Sequence, residues 1–399
     1  MTVIVDDPKV DLLAGTFWGG DFHPALRWMR ENDPVYFDGR YYGVTTYDLL
    51  KEVSRNPALF SNSQGIRPDV PFAMGMMIDM DDPAHMKRRK LVNRGFTPRR
   101  VRDSEPAIRR ACDEIIDNVC EKGECEFVMD VAAWLPMIMI GDALGVAPEH
   151  RGDLLEWSDN LVKGLVGGAE SATEGAAEAF ANFQGYMLEQ IALRREELRD
   201  DLLSVLVAAE IDGDRLDDTE IFHEALLILI GGDETTRHVI NGGLYQLLVN
   251  PDAKRALIED PSRIPLAIEE MLRWVSPVRN MSRTVMTATE LGGKQLQEGD
   301  KVMLLYPSAN RDATVFPDPD TFDISRTPNE HVAFGFGTHF CLGNSLARLE
   351  LRCMFEHVLS RLPDIELVEN HEPQNRPANF VSGYEEMRVR FSPAKPVLR

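Results

Sequence analysis

The stretch Phe334-Gly-Phe-Gly-Thr-His-Phe-Cys-Leu-Gly343 runs straight into a helical pattern, Asn344-Ser-Leu-Ala-Arg-Leu-Glu-Leu-Arg352. Glycines at 335, 337 and 343 permit tight turns and a close approach of backbone to a flat ligand. The turn leaves the sulfur of Cys341 at a helix N-terminus, where amide N–H groups and the helix dipole favour a thiolate. A lone cysteine is normally an inert buried thiol. This decapeptide instead reads as a built site for a metal held through sulfur.

A second segment breaks local rules in the same way. Asp217 and Glu220 are spaced as a capping box, and a helical pattern continues from them to Asn250-Pro251, where proline ends it. At 1.5 Å per residue, roughly 33 residues span about 50 Å, enough to cross the molecule. Ala225-Leu-Leu-Ile-Leu-Ile230 is apolar on every face, the mark of a buried helix. Gly231-Gly-Asp-Glu-Thr-Thr236 follows at once. Two glycines cost about 1 kcal/mol each in a helix interior, and an acid and two hydroxyls are set among apolar neighbours. Such a departure marks a functional site.

The 399 residues, 44% of them hydrophobic, suffice for one large domain covering 1–399, with a smaller annex. The expected architecture is mainly α with a small β portion. Strand-like runs such as Val35-Tyr-Phe37, Tyr41–Tyr47, Thr284–Thr287 and Lys301–Tyr306 place the β-rich part at about 30–65 and 283–325, plus C-terminal strands. The α-rich body covers about 85–275 and 344–362. No apolar run is long enough to span a bilayer, and Met1–Asp7 lacks the pattern of a signal peptide, so a soluble, cytoplasmic protein is expected. Five cysteines with no Cys-x-x-Cys pair argue against both a disulfide framework and a zinc site. A net charge of −22 disfavours nucleic acid and membrane surfaces as partners. From Lys87 to Arg110, however, ten basic residues stand against Asp103 and Glu105, a local excess of +8 that marks a docking candidate.

A thiolate held at such a turn suits a haem iron, because its electron push assists O–O cleavage. The decapeptide resembles the haem-binding loop of cytochromes P450, Phe-Gly-x-Gly-x-His-x-Cys-x-Gly, at every fixed position. The resemblance extends over nearly the whole chain and implies that family's fold, with the long central helix lying over haem b and Cys341 as axial ligand of the iron. Phe334, Gly335 and Gly343 then shape the loop around the haem. His85 and Arg89 (i, i+4 on one helix), Arg283 and His339 match propionate-binding positions. Glu270-Met-Leu-Arg273 matches the Glu-x-x-Arg pair, with Arg326 as its third member. Alone, a Glu-x-x-Arg would be a surface ion pair; beside the cysteine loop it reads as a scaffold triad. Gly231 and Gly232 would open the central helix for dioxygen, Thr235 would hydrogen-bond the oxygen being activated, and Glu234 would feed protons inward. Many relatives carry aspartate where Glu234 stands, a mild departure expected to alter the relay and not the reaction.

The resemblance implies a monooxygenase that inserts one atom of O2 into an unactivated C–H bond. Ile66–Met80, with four methionines, suits an adaptable wall around an apolar ligand. Ile66, Met74, Met77, Leu227, Ile230, Val278, Met281, Phe380 and Val381 are the expected lining. Ile78–His85, Leu229–His238 and Pro377–Gly383 look most like actinobacterial sterol side-chain hydroxylases. That likeness implies oxidation of the terminal methyl of cholesterol or cholest-4-en-3-one, at C26 or C27, and onward to the acid. A fatty acid or a polyketide or macrolide is the alternative substrate; a haem-thiolate peroxygenase and a non-catalytic haem sensor are the alternatives of another class. No flavin, nicotinamide or ferredoxin segment is fused, so electrons are expected from a separate ferredoxin and its NAD(P)H-dependent reductase, docking on the basic run with Arg348 and Arg352.

Overall fold

The computed structural model describes residues 8–70, 73–166, 174–211 and 213–398. The reading of Met1–Asp7, and Pro71 and Phe72 within the methionine-rich segment, lie outside them. The central helix runs Asp218–Val249 behind the expected capping box, with the Asp217 side chain accepting from Glu220 N–H, and Asn250-Pro251 ends it. It is buried along most of its length and packs on the helices Trp134–Leu144, Ile264–Val275 and Asn344–Arg361. Gly232 permits one of these contacts: a Cβ there would stand 2.5 Å from Ile140 Cδ1.

The β portion draws on both ends of the chain. A five-stranded sheet orders Val35–Phe37, Tyr42–Val44, Lys301–Leu305, Asn280–Val285 and Phe60–Ser61. Only the Tyr42–Val44 pairing with Lys301–Leu305 is parallel. Val302 and Leu304 face a cluster with Tyr47 and Phe316, whereas Met303 and Leu305 face Leu12, Trp18 and Met29. The two-residue period of a strand thus ties two apolar layers to one segment. C-terminal strands Glu366–Leu367 and Arg388–Arg390 form a second sheet with Glu124–Glu126.

Two boundaries differ from expectation. The strands of the sheet end at Leu305: Tyr306–Ala309 is a helical turn and no strand is assigned from there to 325. Charged Glu124-Cys-Glu126 pairs as a strand inside the mainly helical stretch, because Arg388–Arg390 supplies it with ladder partners from far along the chain.

Behind the cysteine loop the Glu270 carboxylate is buried and accepts from Arg273 through two bonds of 2.7 Å. It also accepts from Arg326 Nε (3.1 Å), Asn329 (3.1 Å) and the Asp323 N–H (2.9 Å). Arg273 donates onward to the carbonyls of Asn310, Pro319 and Thr321, and Arg326 to those of Pro317, Asp318 and Thr321. One carboxylate and two forked guanidiniums therefore pin the whole irregular segment from 310 to 329.

Candidate active site

A cavity of about 260 Å³ lies between the central helix and the cysteine loop. The loop turns through Gly335 and Gly337 at φ +72° and +75°, where a side chain is strained, and a Cβ on Gly337 would meet the Ser54 carbonyl at 2.5 Å. Its closing bond, Cys341 N–H to Phe334 O at 2.9 Å, brings Cys341 to the cavity with Phe334, Gly335 and Gly343. Burial pushes the Cys341 thiol up, against the N–H of Gly343, the guanidiniums of Arg89 and Arg348, and the N–H of Asn344. The N–H groups of Gly343 and Asn344 at the helix start act in the direction read from the sequence, and burial acts against them. A cationic metal held by the sulfur would supply the missing stabilisation of a thiolate.

Four nitrogen donors from three segments converge beside it: His85 and Arg89 on the helix Ala84–Val92, Arg283 in the sheet, and His339 in the loop. The His85 and His339 rings stand 4.1 Å apart, and the Nε2 of each is buried without a hydrogen-bond partner. Burial lowers His85, and burial with Arg283, His85 and Arg89 pushes His339 down to about 3. Burial likewise lowers Arg89 and Arg283. Cationic and donor groups that suppress one another's charge are suited to an anionic partner. The two carboxylates of a haem would meet that demand and the Cys341 sulfur on the same cavity would meet its iron, so the residues present fit the group.

On the opposite side, Gly231, Gly232, Thr235 and Thr236 face the cavity. The helix is continuous through these residues. A Cβ at 231 would project into open space, while Gly232 serves the contact with Ile140. Thr235 Oγ1 donates to the Gly231 carbonyl at 2.7 Å.

Glu234, expected to deliver protons inward, does not line the cavity. Its carboxylate pairs with His238 Nε2 (3.0 Å), Arg376 (2.9 Å) and Arg237 (3.3 Å). Burial opposes its charge, but the His238 bond and the charges of Arg237 and Arg376 hold it well below the usual carboxylate range. A carboxylate so held is a poor acid. The carboxyl that does face the cavity is Glu350, on the cysteine helix. Burial, then the negative charge of Asp233, pushes it up to about 8, so it carries a proton at neutral pH. Sequence reading missed it, although a glutamate between Leu349 and Leu351 on a helix following the cysteine loop was a visible signal.

Of the expected lining residues, Met77, Leu227, Val278 and Met281 border the cavity. Ile66, Met74, Ile230, Phe380 and Val381 do not. Ile66 gives its carbonyl to Ser282 N–H, Met74 N–H donates to Asp79, and Ile230 packs in the adjoining core. Phe380 lies under Arg67, and Val381 bridges to Val278. Asn62, Ile78, Phe96, Ile140 and Val239 are among the wall residues that the sequence did not announce.

The basic run is largely neutralised. Lys87 pairs with Asp214, Arg100 with Asp200, and Arg109 with Glu105 and Glu356. Arg348 pairs with Glu269, and Arg352 with Glu105. Arg88 is buried between Glu220 and Glu224, which removes it from any docking surface. Lys90, Arg94, Arg99 and Arg102 are exposed, Arg99 with Asp103 at 3.4 Å on its own helix, and the helix Pro98–Asp103 packs on the cysteine helix.

The Cytochrome P450 family model matches residues 169–389. Two mycobacterial proteins named steroid C26-monooxygenase align over the full length. That of Mycolicibacterium smegmatis is 54% identical over 401 residues and covers 100% of each chain. That of Mycobacterium tuberculosis is 53% identical over 398 residues, covering 99% of this chain and 100% of its own. A solved cytochrome P450 of Bacillus megaterium in complex with testosterone superposes with a TM-score of 0.86 at 33% identity, over 93% of this chain and 99% of that one.

Proposed function

The chain belongs to the cytochrome P450 family, and from that membership we propose that it hydroxylates the terminal methyl group of a sterol side chain, with cholest-4-en-3-one or cholesterol as substrate. Haem b is the cofactor, and when bound it supplies the activation of dioxygen for insertion of one oxygen atom into a C–H bond. Cys341 would hold the iron through sulfur; His85, Arg89, Arg283 and His339 would hold the two carboxylates. Thr235 Oγ1, parked on the Gly231 carbonyl, is the hydroxyl that can turn to hand a proton into the cavity.

The observation that carries the substrate class is the wall chemistry. Outside the four nitrogen donors and Glu350, no charged side chain borders the cavity among the described residues. A substrate is therefore selected by shape and apolar contact, as a sterol is. The names of the two full-length relatives support the terminal methyl as the site of attack. The test is an optical titration of the ferric holoprotein with cholest-4-en-3-one. Saturable low-spin to high-spin conversion at micromolar ligand supports the reading; a normal haem spectrum that ignores the sterol discards it in favour of fatty acids or macrolides.

Met77→Trp is expected to overfill the wall, at about 1–3 kcal/mol, and to weaken sterol binding by roughly 10-fold. The carbon monoxide difference spectrum should stay that of a thiolate-ligated haem. Unchanged sterol affinity would remove Met77 from the wall.

Electrons are supplied by a separate ferredoxin and its reductase, docking on the exposed remnant of the basic run near the cysteine helix. Arg99→Glu with Arg102→Glu should slow ferredoxin-driven reduction by about 10-fold at low salt and flatten its salt dependence, leaving reduction by dithionite unaltered. Equal stopped-flow rates with and without the charge reversal would place docking elsewhere.

A further inference from the structure

The central helix reaches the cavity wall at a second point, remote from Thr235. Glu224, two turns before Gly231, is fully buried, and its Oε1 accepts from the backbone N–H of Met77 at 3.0 Å. The same oxygen accepts from Arg88 Nη1 at 3.2 Å, and Arg88 reaches Glu220 with its other arm. Arg88 stands on the helix that carries His85 and Arg89 to the cavity. Glu224 Oε2 is buried with no hydrogen-bond partner. Gly75 lies close to the central helix too, where a Cβ would come 3.1 Å from the His223 ring. Asp79 ties the wall segment together by accepting from Met74 N–H at 2.9 Å.

A buried ion pair adds little net stability over well-packed apolar residues, so stability alone does not account for a carboxylate at this position. Its geometry does. One oxygen joins three elements: the central helix, the wall that places Met77 and Ile78 on the cavity, and the helix that carries two of the nitrogen donors. A strand-free wall has no ladder to set its depth, and the Met77 N–H is a backbone group tied directly to the central helix. We propose that Glu224 is a positioning residue for substrate: through Met77 N–H it latches the 74–79 wall to the central helix, fixing the width of the cavity and the depth at which an apolar substrate sits. The depth of the wall decides which carbon is presented, so the latch governs regiochemistry as well as retention. This rests on the proposed function only for the choice of sterol as a second probe.

Three variants of the holoenzyme test it. Glu224→Leu removes the acceptor, Glu224→Asp keeps the charge but shortens the reach to Met77, and Glu224→Gln keeps an acceptor oxygen at the same reach. Stopped-flow release of a bulky triaryl imidazole, which ligates haem whatever the natural substrate is, reads the wall directly; imidazole itself is the small control. Release of the bulky probe should quicken by at least about 10-fold, equivalent to ~1.4 kcal/mol, in the Leu and Asp variants. It should stay within about 3-fold of the parent in Glu224→Gln, and imidazole should be unaffected throughout. Because Glu224→Asp keeps a carboxylate that the long Arg88 side chain can follow, unlike the fixed backbone N–H of Met77, it reads the latch even where Glu224→Leu fails to take up haem. With cholest-4-en-3-one, the share of terminal-methyl product should fall in the Leu and Asp variants and recover in the Gln variant. Unaltered release in Glu224→Asp overturns the proposal, as do equal losses in the Gln and Asp variants. A parent enzyme that ignores the sterol while the imidazole pattern holds sinks the sterol reading and leaves the latch standing.

Discussion

Thr235→Ala is expected to leave the sterol-induced spin shift intact while product formed per NAD(P)H consumed falls by about 10-fold or more, the missing electrons appearing as hydrogen peroxide. Positioned proton transfer is worth about 10²–10⁴-fold in a rate, and its loss favours escape of partly reduced oxygen over the productive branch. The substitution is otherwise mild. Alanine is the best helix former, and the lost bond is a side-chain contact to the Gly231 carbonyl within the same helix. Thr235→Ser, which keeps the hydroxyl, should recover most of the coupling. Oxygen uptake, peroxide and product measured together decide the matter, and unaltered coupling in Thr235→Ala would remove the residue from proton handling.

Glu270→Ala should cost about 3–5 kcal/mol, the usual result of stripping one partner from a buried charge pair. Here the loss is amplified, because Arg273 and Arg326 both lose their counter-charge and the 310–329 segment loses its clamp. Against a typical total of about 5–15 kcal/mol, that is a large fraction of the folding free energy. The expected result is a sharply lower melting temperature and poor recovery of haem-loaded protein. Arg348→Ala, which removes a half-exposed pair with Glu269, should change the melting temperature little. Equal stability of the Glu270→Ala and parent holoproteins would reduce the triad to an ordinary ion pair.

Legibility in the sequence followed range. The cysteine loop, the capping box and the Glu270–Arg273 pair are local patterns whose geometry follows from spacing along one turn or one helix, and all were readable. Arg326 came from family likeness, whereas Asn329 and the Asp323 N–H, which complete the same carboxylate, carry no local signal. The central helix illustrates what was readable and missed. At about 100° per residue, Leu227, Ile228, Gly231, Gly232, Thr235, Thr236 and Val239 fall on one half of the helix, and these are its residues on the cavity. Ile230 and Asp233 fall opposite, and Glu234 falls at the edge, turned toward Arg376 and His238. The wheel therefore sets Ile230 outside the cavity, whereas Glu234, about 20° from Leu227 on it, is taken out only by its pairing with Arg376 and His238. Phe380 and Val381 could not be settled so: the Val381 bridge to Val278 and the Phe380 carbonyl's bond from Arg279 N–H depend on a loop returning from the C-terminal end of the chain. The basic run failed for a third reason, since charge counting along the chain is blind to acidic partners such as Asp200, Asp214 and Glu224 that arrive from segments distant in sequence.

The central claim is that one oxygen atom of O2 enters the terminal methyl of a sterol side chain at a haem held by Cys341. Turnover of cholest-4-en-3-one with ferredoxin, reductase and NAD(P)H under isotopically labelled dioxygen, followed by mass spectrometry of the product, tests it most directly. A single labelled oxygen is expected in the first product, located on the terminal side-chain carbon, with labelled aldehyde and acid following. Oxygen that carries no label, or that is found on the ring system instead of the chain end, would contradict it.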